Sequence, residues 1–242
     1  RQTKKIMNKF CISNKLVSFN KENSFKKIPK LITFLKEGKS IAVVSDAGMP
    51  GICDPGENIV KEVKSKGIDV ICIPGACAAI TALVSSGMPS SKFVFEGFLP
   101  KKKIDRDRIL LEISKNKKTT IIYESPHRLK KLLKELLDLC GGDREIFIAR
   151  ELTKKFEQHI GNNIENAIDY FKDKEVIGEI TLVIKGTCQE KYQKLDEADL
   201  KRDLKELIKA GLSLSAASKY LAKKNDIKKS IIYNLNLRLD KR

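Results

Sequence analysis

Histidine is nearly absent from this 242-residue chain, with His127 and His159 the only two. Six cysteines are scattered along it, and no two form a CxxC pair. A structural zinc site needs several such ligands at tight spacings, so neither zinc nor another metal is expected. The cysteines read instead as free thiols of a reducing cytoplasm. Long apolar runs are missing too. Charges interrupt every stretch well short of the roughly 20 apolar residues that cross a bilayer, so no membrane partner is expected. The start, from Arg1 to Asn8, is polar and basic, and no apolar leader core follows it. Neither G-x-G-x-x-G nor a Walker A sequence occurs, which disfavours a dinucleotide or nucleoside triphosphate site.

Acidic residues are the minority charge, 31 against 48 Lys and Arg, for a formal net charge of +17. Such a surplus suggests a polyanionic partner. Most of the cations are Lys, however, a bias that an AT-rich genome also produces, so net charge alone does not specify nucleic acid. The hydrophobic fraction of 41% suffices for a packed core. The length suits one large domain or two to three small ones.

Apolar spacing alternates between strand and helix periods. Residues 15–19, 40–45, 68–73 and 93–96 predict strands, and residues 24–37, 57–66 and 77–86 predict helices, closed by Gly38, Gly67 and Gly87. Residues 97–103 (Gly-Phe-Leu-Pro-Lys-Lys-Lys) break the alternation and read as a hinge. A second series then predicts helices at 105–114, 127–139 and 164–171, with strands at 119–123, 145–149, 156–161 and 179–184. This is an α/β pattern with a mostly parallel sheet in each half, giving domains at 1–100 and 101–190. The strand at 156–161 follows 145–149 with no helix between, so the second sheet is expected to be mixed.

Past Gly186 the strands cease. Residues 191–242 predict an all-α, helix-turn-helix-like unit with helices at 200–209, 214–223 and 229–239 and Ser213 as an N-cap. This unit carries 14 basic against 7 acidic residues, and 216–242 alone carries 8 against 2. Genome composition alone does not explain that asymmetry, which points to a polyanionic partner for this unit.

Two glycine-bearing loops leave the carboxyl ends of predicted strands, where open α/β sheets bind ligands. The first is SDAGMPGICDPG (45–56), and the second is IPGACAA (73–79), which opens a helix of small residues whose amides suit an anion. A tight turn capped by Asp46 and Asp54, and a close helix–sheet packing face, are the structural alternatives. Two further strand ends carry ionisable groups, YESPHR (123–128) and ARELTK (149–154). Ser125 and His127 are too near in sequence to be read as a triad.

In this order, SDAGMPGICDPG, IPGACAAITALVSSGMPS, FEGFLPKK, YESPHR and ARELTK resemble the small-subunit ribosomal RNA methyltransferase I family, a branch of the tetrapyrrole methylase (class III) superfamily. The resemblance implies two α/β domains of tetrapyrrole methylase type, with S-adenosyl-L-methionine in the cleft between them, and the small helical unit at the end. It implies 2′-O-methylation of a cytidine in 16S rRNA at the decoding centre of the 30S subunit, and a homodimer. By position, Asp46, Ala47, Gly48, Pro50, Gly75, Ala76 and Ala79 would wrap the cofactor. Tyr123, Glu124, Ser125 and Gly178 would face it from the other half. The family opens with a strand, a Gly-rich turn and an acidic element. This chain opens at Arg1-Gln2-Thr3, which resembles the end of that element, so it reads as N-terminally truncated, with a sheet edge left open.

Methyl transfer to a ribose hydroxyl requires placement and a base. Glu151 and Glu124 are the candidates, an acidic residue of the missing segment is another, and Asp46 is an alternative partner for the sulfonium charge. Lys101, Lys102, Arg106, Arg128, Arg150, Lys154, Lys223 and Lys228 are expected to meet RNA phosphates. Two other readings stand beside this one: a methyltransferase of the same fold acting on a tetrapyrrole carbon, and a non-catalytic RNA-binding remnant.

Overall fold

The computed structural model describes residues 2–187, 197–224 and 229–237. The chain divides into two units, residues 1–187 and residues 188–242.

The larger unit is organised by one five-stranded sheet, in the order β1-β2-β5-β3-β4, built from β1 (Phe93–Phe98), β2 (Thr119–Glu124), β3 (Glu145–Arg150), β4 (Gln158–Asn163) and β5 (Ile180–Ile184). β5 reads ITLVI and is buried at every position, as a central strand covered on both faces must be. Only β1 and β2 pair in parallel, and the other three pairings are antiparallel. The parallel pair is joined through α5 (Lys103–Lys115), since parallel neighbours need a crossover. The expected mixing of the second sheet is observed, whereas its expected parallel majority is not.

One face of this sheet is packed by α5, α6 (Pro126–Cys140) and α7 (Ile164–Phe171). α6 begins with Pro at its first position and ends before Gly141 at φ 81°. Its Leu129, Leu132, Leu133 and Leu136 follow the i, i+3, i+4, i+7 spacing and are all fully buried. The opposite face carries α4 (Ala78–Ser86), whose Ala79, Ala82 and Leu83 pack on Ile121 and Val183.

The strands expected at 15–19, 40–45 and 68–73 are not formed. Most of their apolar side chains stand in solvent instead, with Val44 57%, Ile71 85% and Ile73 80% exposed, while Phe19 and Ile68 pack against Ile28, Ile59 and Val63. A strand exists only through its ladder partners, and these segments have none. The strand expected at 93–96 forms, but in the same sheet as the strands of the second half. The first half is held by α2 (Ser24–Lys36) packed on α3 (Glu57–Ser65) through Ile28, Ile59 and Val63. An unforeseen helix, α1 (Gln2–Lys9), buries no residue.

The smaller unit comprises α8 (Glu197–Lys209), α9 (Leu214–Lys224) and α10 (Lys229–Leu237) around Leu204, Ala217, Leu221 and Ile232. Ser213 caps α9, its Oγ accepting from the Ala216 amide at 3.2 Å.

Candidate active site

The two glycine-bearing loops meet. A Cβ placed on Gly48 would lie 3.5 Å from the carbonyl oxygen of Ala76, and one on Gly75 would lie 3.9 Å from the Met49 sulfur. Gly48 holds φ +68°, a conformation that a Cβ disfavours. Ala47, Gly48, Gly75 and Ala76 are exposed, with no side chain longer than a methyl among them, so backbone is what they offer a ligand. Around them, Ser45 Oγ donates to the Asp54 carboxylate and accepts from the Ala47 amide at 3.3 Å, and Thr3 Oγ1 donates to Asp46 at 3.3 Å. Pro50 is half-buried.

The end of β2 locks this loop pair to the sheet. The Ala79 amide, in the first turn of α4, donates to the Tyr123 hydroxyl at 3.0 Å. The Tyr123 ring packs edge-on against Phe95 and tilted against Phe98, with centroids at 5.0 and 5.6 Å. Burial pushes its phenol up to about 12, so it stays neutral at physiological pH. On the same side, the Cys53 sulfur crowds Gly97, where a Cβ would stand only 2.8 Å away. Phe95, Phe98 and Cys53 lie within the motifs read from the sequence but were given no role there, because residues so far apart in the chain meet only in the fold.

Glu124 corrects an expectation. Successive strand residues face opposite sides, so Tyr123 turns to the loops and Glu124 turns away from them. The Glu124 side chain is fully buried and pairs with Arg128 at 2.6 Å and with Arg106 at 3.4 Å. It also accepts from the Ser125 amide at 2.8 Å. A carboxylate so held is closed to a substrate hydroxyl. Its carboxylate serves as a structural anchor rather than a base, and the Ser125 amide takes part in that anchor.

Arg106 is corrected for the same reason. It is 5% exposed and bridges Glu124 to Glu135, the latter at 2.7 Å, so no phosphate can reach it. Arg128 is partly open, but it spends its guanidinium on Glu124 and on the Leu99 carbonyl at 3.2 Å.

A second cluster forms at the end of β3. Glu151 Oε1 accepts from Lys154 Nζ and from the Glu179 amide, both at 2.8 Å. Gly178 lies against it, because a Cβ there would come within 2.6 Å of the Glu151 side chain. The glycine expected to wall the cofactor therefore makes room for Glu151. The Lys154 hydrogen bond, and then the Glu179 amide, lower the Glu151 carboxyl below its ordinary value. The same pairing raises Lys154. Arg150 donates to the Ile177 carbonyl and to Gln158, at 2.7 and 2.6 Å. Lys101 and Lys102 are exposed, and Lys102 lies 3.9 Å from Asp105. Lys223 is exposed on α9, whereas Lys228 lies outside the described residues.

The family model of the tetrapyrrole (corrin/porphyrin) methylases matches residues 8–168. The chain belongs to this family. It is accordingly an S-adenosylmethionine-dependent methyltransferase. A curated relative, ribosomal RNA small subunit methyltransferase I of Thermotoga maritima, is 46% identical over 186 residues, covering 77% of this chain and 83% of that protein. The protein of the same name from Synechocystis sp. is 39% identical over 240 residues, covering 99% of this chain and 86% of the relative. Among solved structures, diphthine synthase superposes with a TM-score of 0.52 at 15% identity, over 74% of this chain and 72% of its own. The methyltransferase CobJ gives 0.51 at 17% identity, over 67% and 71%. At these identities the superpositions speak for the fold alone.

The residues present suit the cofactor of this family. Two exposed backbone turns in contact, with no side chain longer than a methyl at the contact and rimmed by the exposed Asp46 carboxylate, form a cradle for a ligand that carries a sulfonium cation and many hydrogen-bonding groups.

Proposed function

We propose that the chain methylates the 2′-oxygen of a cytidine in 16S rRNA of the 30S subunit. The observation that carries this reading is the meeting of the Gly48 and Gly75 loops beneath Tyr123. The names of the ribosomal RNA relatives support the choice of acceptor. S-adenosylmethionine, when bound, supplies an electrophilic methyl on sulfonium sulfur, and its leaving group departs neutral.

The chain's residues then have two tasks. The first is placement, in which the Asp46-to-Pro50 loop and the Pro74-to-Ala79 loop hold the donor and Tyr123 fixes their separation. Holding the attacking oxygen in line is the largest source of acceleration for such a displacement. The second is removal of the hydroxyl proton. Glu151 takes this role, since its depressed carboxyl is ionised at neutral pH. That same depression weakens its basicity, so its contribution sits near the lower end of the 10²–10⁴ range, about 10²-fold. The exposed Lys101 and Lys102 draw phosphate, whereas Arg150 is engaged by the Ile177 carbonyl and Gln158, and Lys154 by Glu151 and Glu179.

The test is transfer of labelled methyl to 30S subunits, followed by nuclease digestion and nucleoside analysis. Label in 2′-O-methylcytidine is expected. Label on a base atom, or no transfer to RNA with the donor bound, would overturn the assignment. Glu151→Gln is expected to slow single-turnover transfer about 10²-fold with donor affinity kept. An unchanged rate would remove Glu151 from the role of base.

A further inference from the structure

The smaller unit divides its charges between helices. α8 carries all four of its acids, Glu197, Asp199, Asp203 and Glu206, balanced by four bases. α9 and α10 carry Lys219, Lys223, Lys224 and Lys229 and no acidic residue at all. The two sets touch at Lys224, 3.7 Å from Asp203. α9 and α10 therefore hold an unbalanced positive charge in a unit that could have interspersed it.

Aromatic rings share these two helices. Tyr220 is 56% exposed and Tyr233 is 39% exposed. The other described tyrosines are packed, Tyr123 against Phe95 and Tyr170 edge-on against Phe171 at 4.9 Å. On α9 the residues Ala217, Ser218, Leu221 and Ala222 are buried, so Ala216, Lys219, Tyr220 and Lys223 form the outward stripe. A helical side chain leans over the turn before it, which for Tyr220 is the one holding Ala216, too short to cover the ring. On α10 Ile232 is buried, and Lys229, Ser230 and Tyr233 are exposed. Lys229 is held at the start of α9 by a 2.8 Å hydrogen bond to Ser215 Oγ.

We propose that α9 and α10 present a stacking surface for unpaired RNA bases, with Tyr220 and Tyr233 as the platforms and Lys219, Lys223 and Lys229 as the phosphate contacts. Duplex RNA keeps its bases stacked internally, and an A-form major groove admits no side chains, so it would use the lysines and leave the rings idle. Unpaired bases offer a π-face to any exposed ring, and lysines nearby track the backbone. An apolar protein partner would instead meet four desolvated ammonium groups. This inference rests on the reading that the acceptor is RNA and adds which RNA state the unit holds.

The chain has no tryptophan. Tyr220→Trp in the full chain thus installs a single tryptophan, excited selectively at wavelengths where tyrosine no longer absorbs, on the proposed platform. A single-stranded RNA is expected to quench it, and the same strand annealed to its complement is not. Tyr220→Ala is expected to weaken single-strand binding about 5- to 150-fold with the salt slope unchanged, while Tyr220→Phe keeps the affinity. Lys223→Ala should weaken both RNA forms and reduce the slope of log affinity on log salt by about 0.7 for the single strand. No quenching, equal quenching by both RNAs, or equal loss of both on Tyr220→Ala would overturn the proposal. Calorimetry with S-adenosylmethionine and methyl transfer to 30S subunits, run on the same preparations, separates the two readings. Quenching without methyl transfer would remove the proposed activity and leave the stacking surface standing.

Discussion

Residues 40–45 and β5 carry nearly the same chemistry and reach opposite ends. SIAVVS and ITLVI are both short, apolar and rich in β-branched residues. In β5 every residue is buried between β2 and β3, while Val43 and Val44 stand 41% and 57% exposed. What separates them is the neighbours. β5 has a ladder on each side and a helix layer on each face, whereas residues 40–45 have neither. The difference teaches that the 93–187 region holds the unit's cooperative core, and that the 2–92 region presents its loops from α2, α3 and α4 with little covering of its own.

Two substitutions in the cooperative region should do the most damage. Glu124→Ala removes the buried carboxylate shared by Arg106 and Arg128, leaving Arg106 with Glu135 and Arg128 with the Leu99 carbonyl alone, so a loss of about 3–5 kcal/mol is expected from urea unfolding. A loss below about 1 kcal/mol would put this network in the class of surface pairs. Leu132→Ala empties a fully buried site between α6 and the sheet and should cost about 2–5 kcal/mol in the same measurement.

The sequence made the second region legible and misread the first for one reason. Apolar runs bounded by turns report that a segment can be a strand, and β2, β3 and β5 fall close to their expected positions. Nothing local reports whether a partner will lie alongside, so 15–19, 40–45 and 68–73 looked alike on paper. At the site, both glycine loops were legible because backbone approach needs small residues in a row. The division between Tyr123 and Glu124 was not read, since both were set facing the cofactor with the strand ending at 123, although a strand running on through 124 must turn that residue to the other face. The fit of Glu151 against Gly178 was not legible, because 27 positions of chain separate them and no periodicity links them.

That last contact supplies the middle of the scale. Gly178→Ala forces a Cβ into the Glu151 side chain at a position with φ +92°, and a loss of about 1–3 kcal/mol is expected. It should also shift the Glu151 carboxyl resonance, as seen by NMR. A smaller effect attends the ion pair itself. The Glu151 carboxyl is lowered, so its contribution is present above the ordinary glutamate value of about 4.3 and is lost as pH falls through its own lower midpoint. Lys154 is raised, so its contribution is present below about 10.4 and is lost as pH climbs past its higher midpoint. Between those limits the pair is intact, but Lys154 is 44% exposed and solvent screening keeps the total under about 1 kcal/mol. Lys154→Ala should return the Glu151 midpoint toward 4.3; an unmoved midpoint would assign the depression to the Glu179 amide instead.

The smallest expected effect is the one that tests the comparison most directly. Ile71 is 85% exposed, so Ile71→Ala removes little from any packed environment and should change stability by less than about 0.5 kcal/mol. Leu132→Ala removes a similar volume of hydrocarbon from a site that is fully closed. The two variants, unfolded side by side in urea, therefore weigh the same chemical change in the two regions. Amide exchange adds a second axis, since residues 68–73 should exchange fast and β5 only on global unfolding. A cost at Ile71 equal to that at Leu132, with slow exchange at 68–73, would mean that the first region has a ladder and a cover of its own, and the contrast between 40–45 and β5 would dissolve.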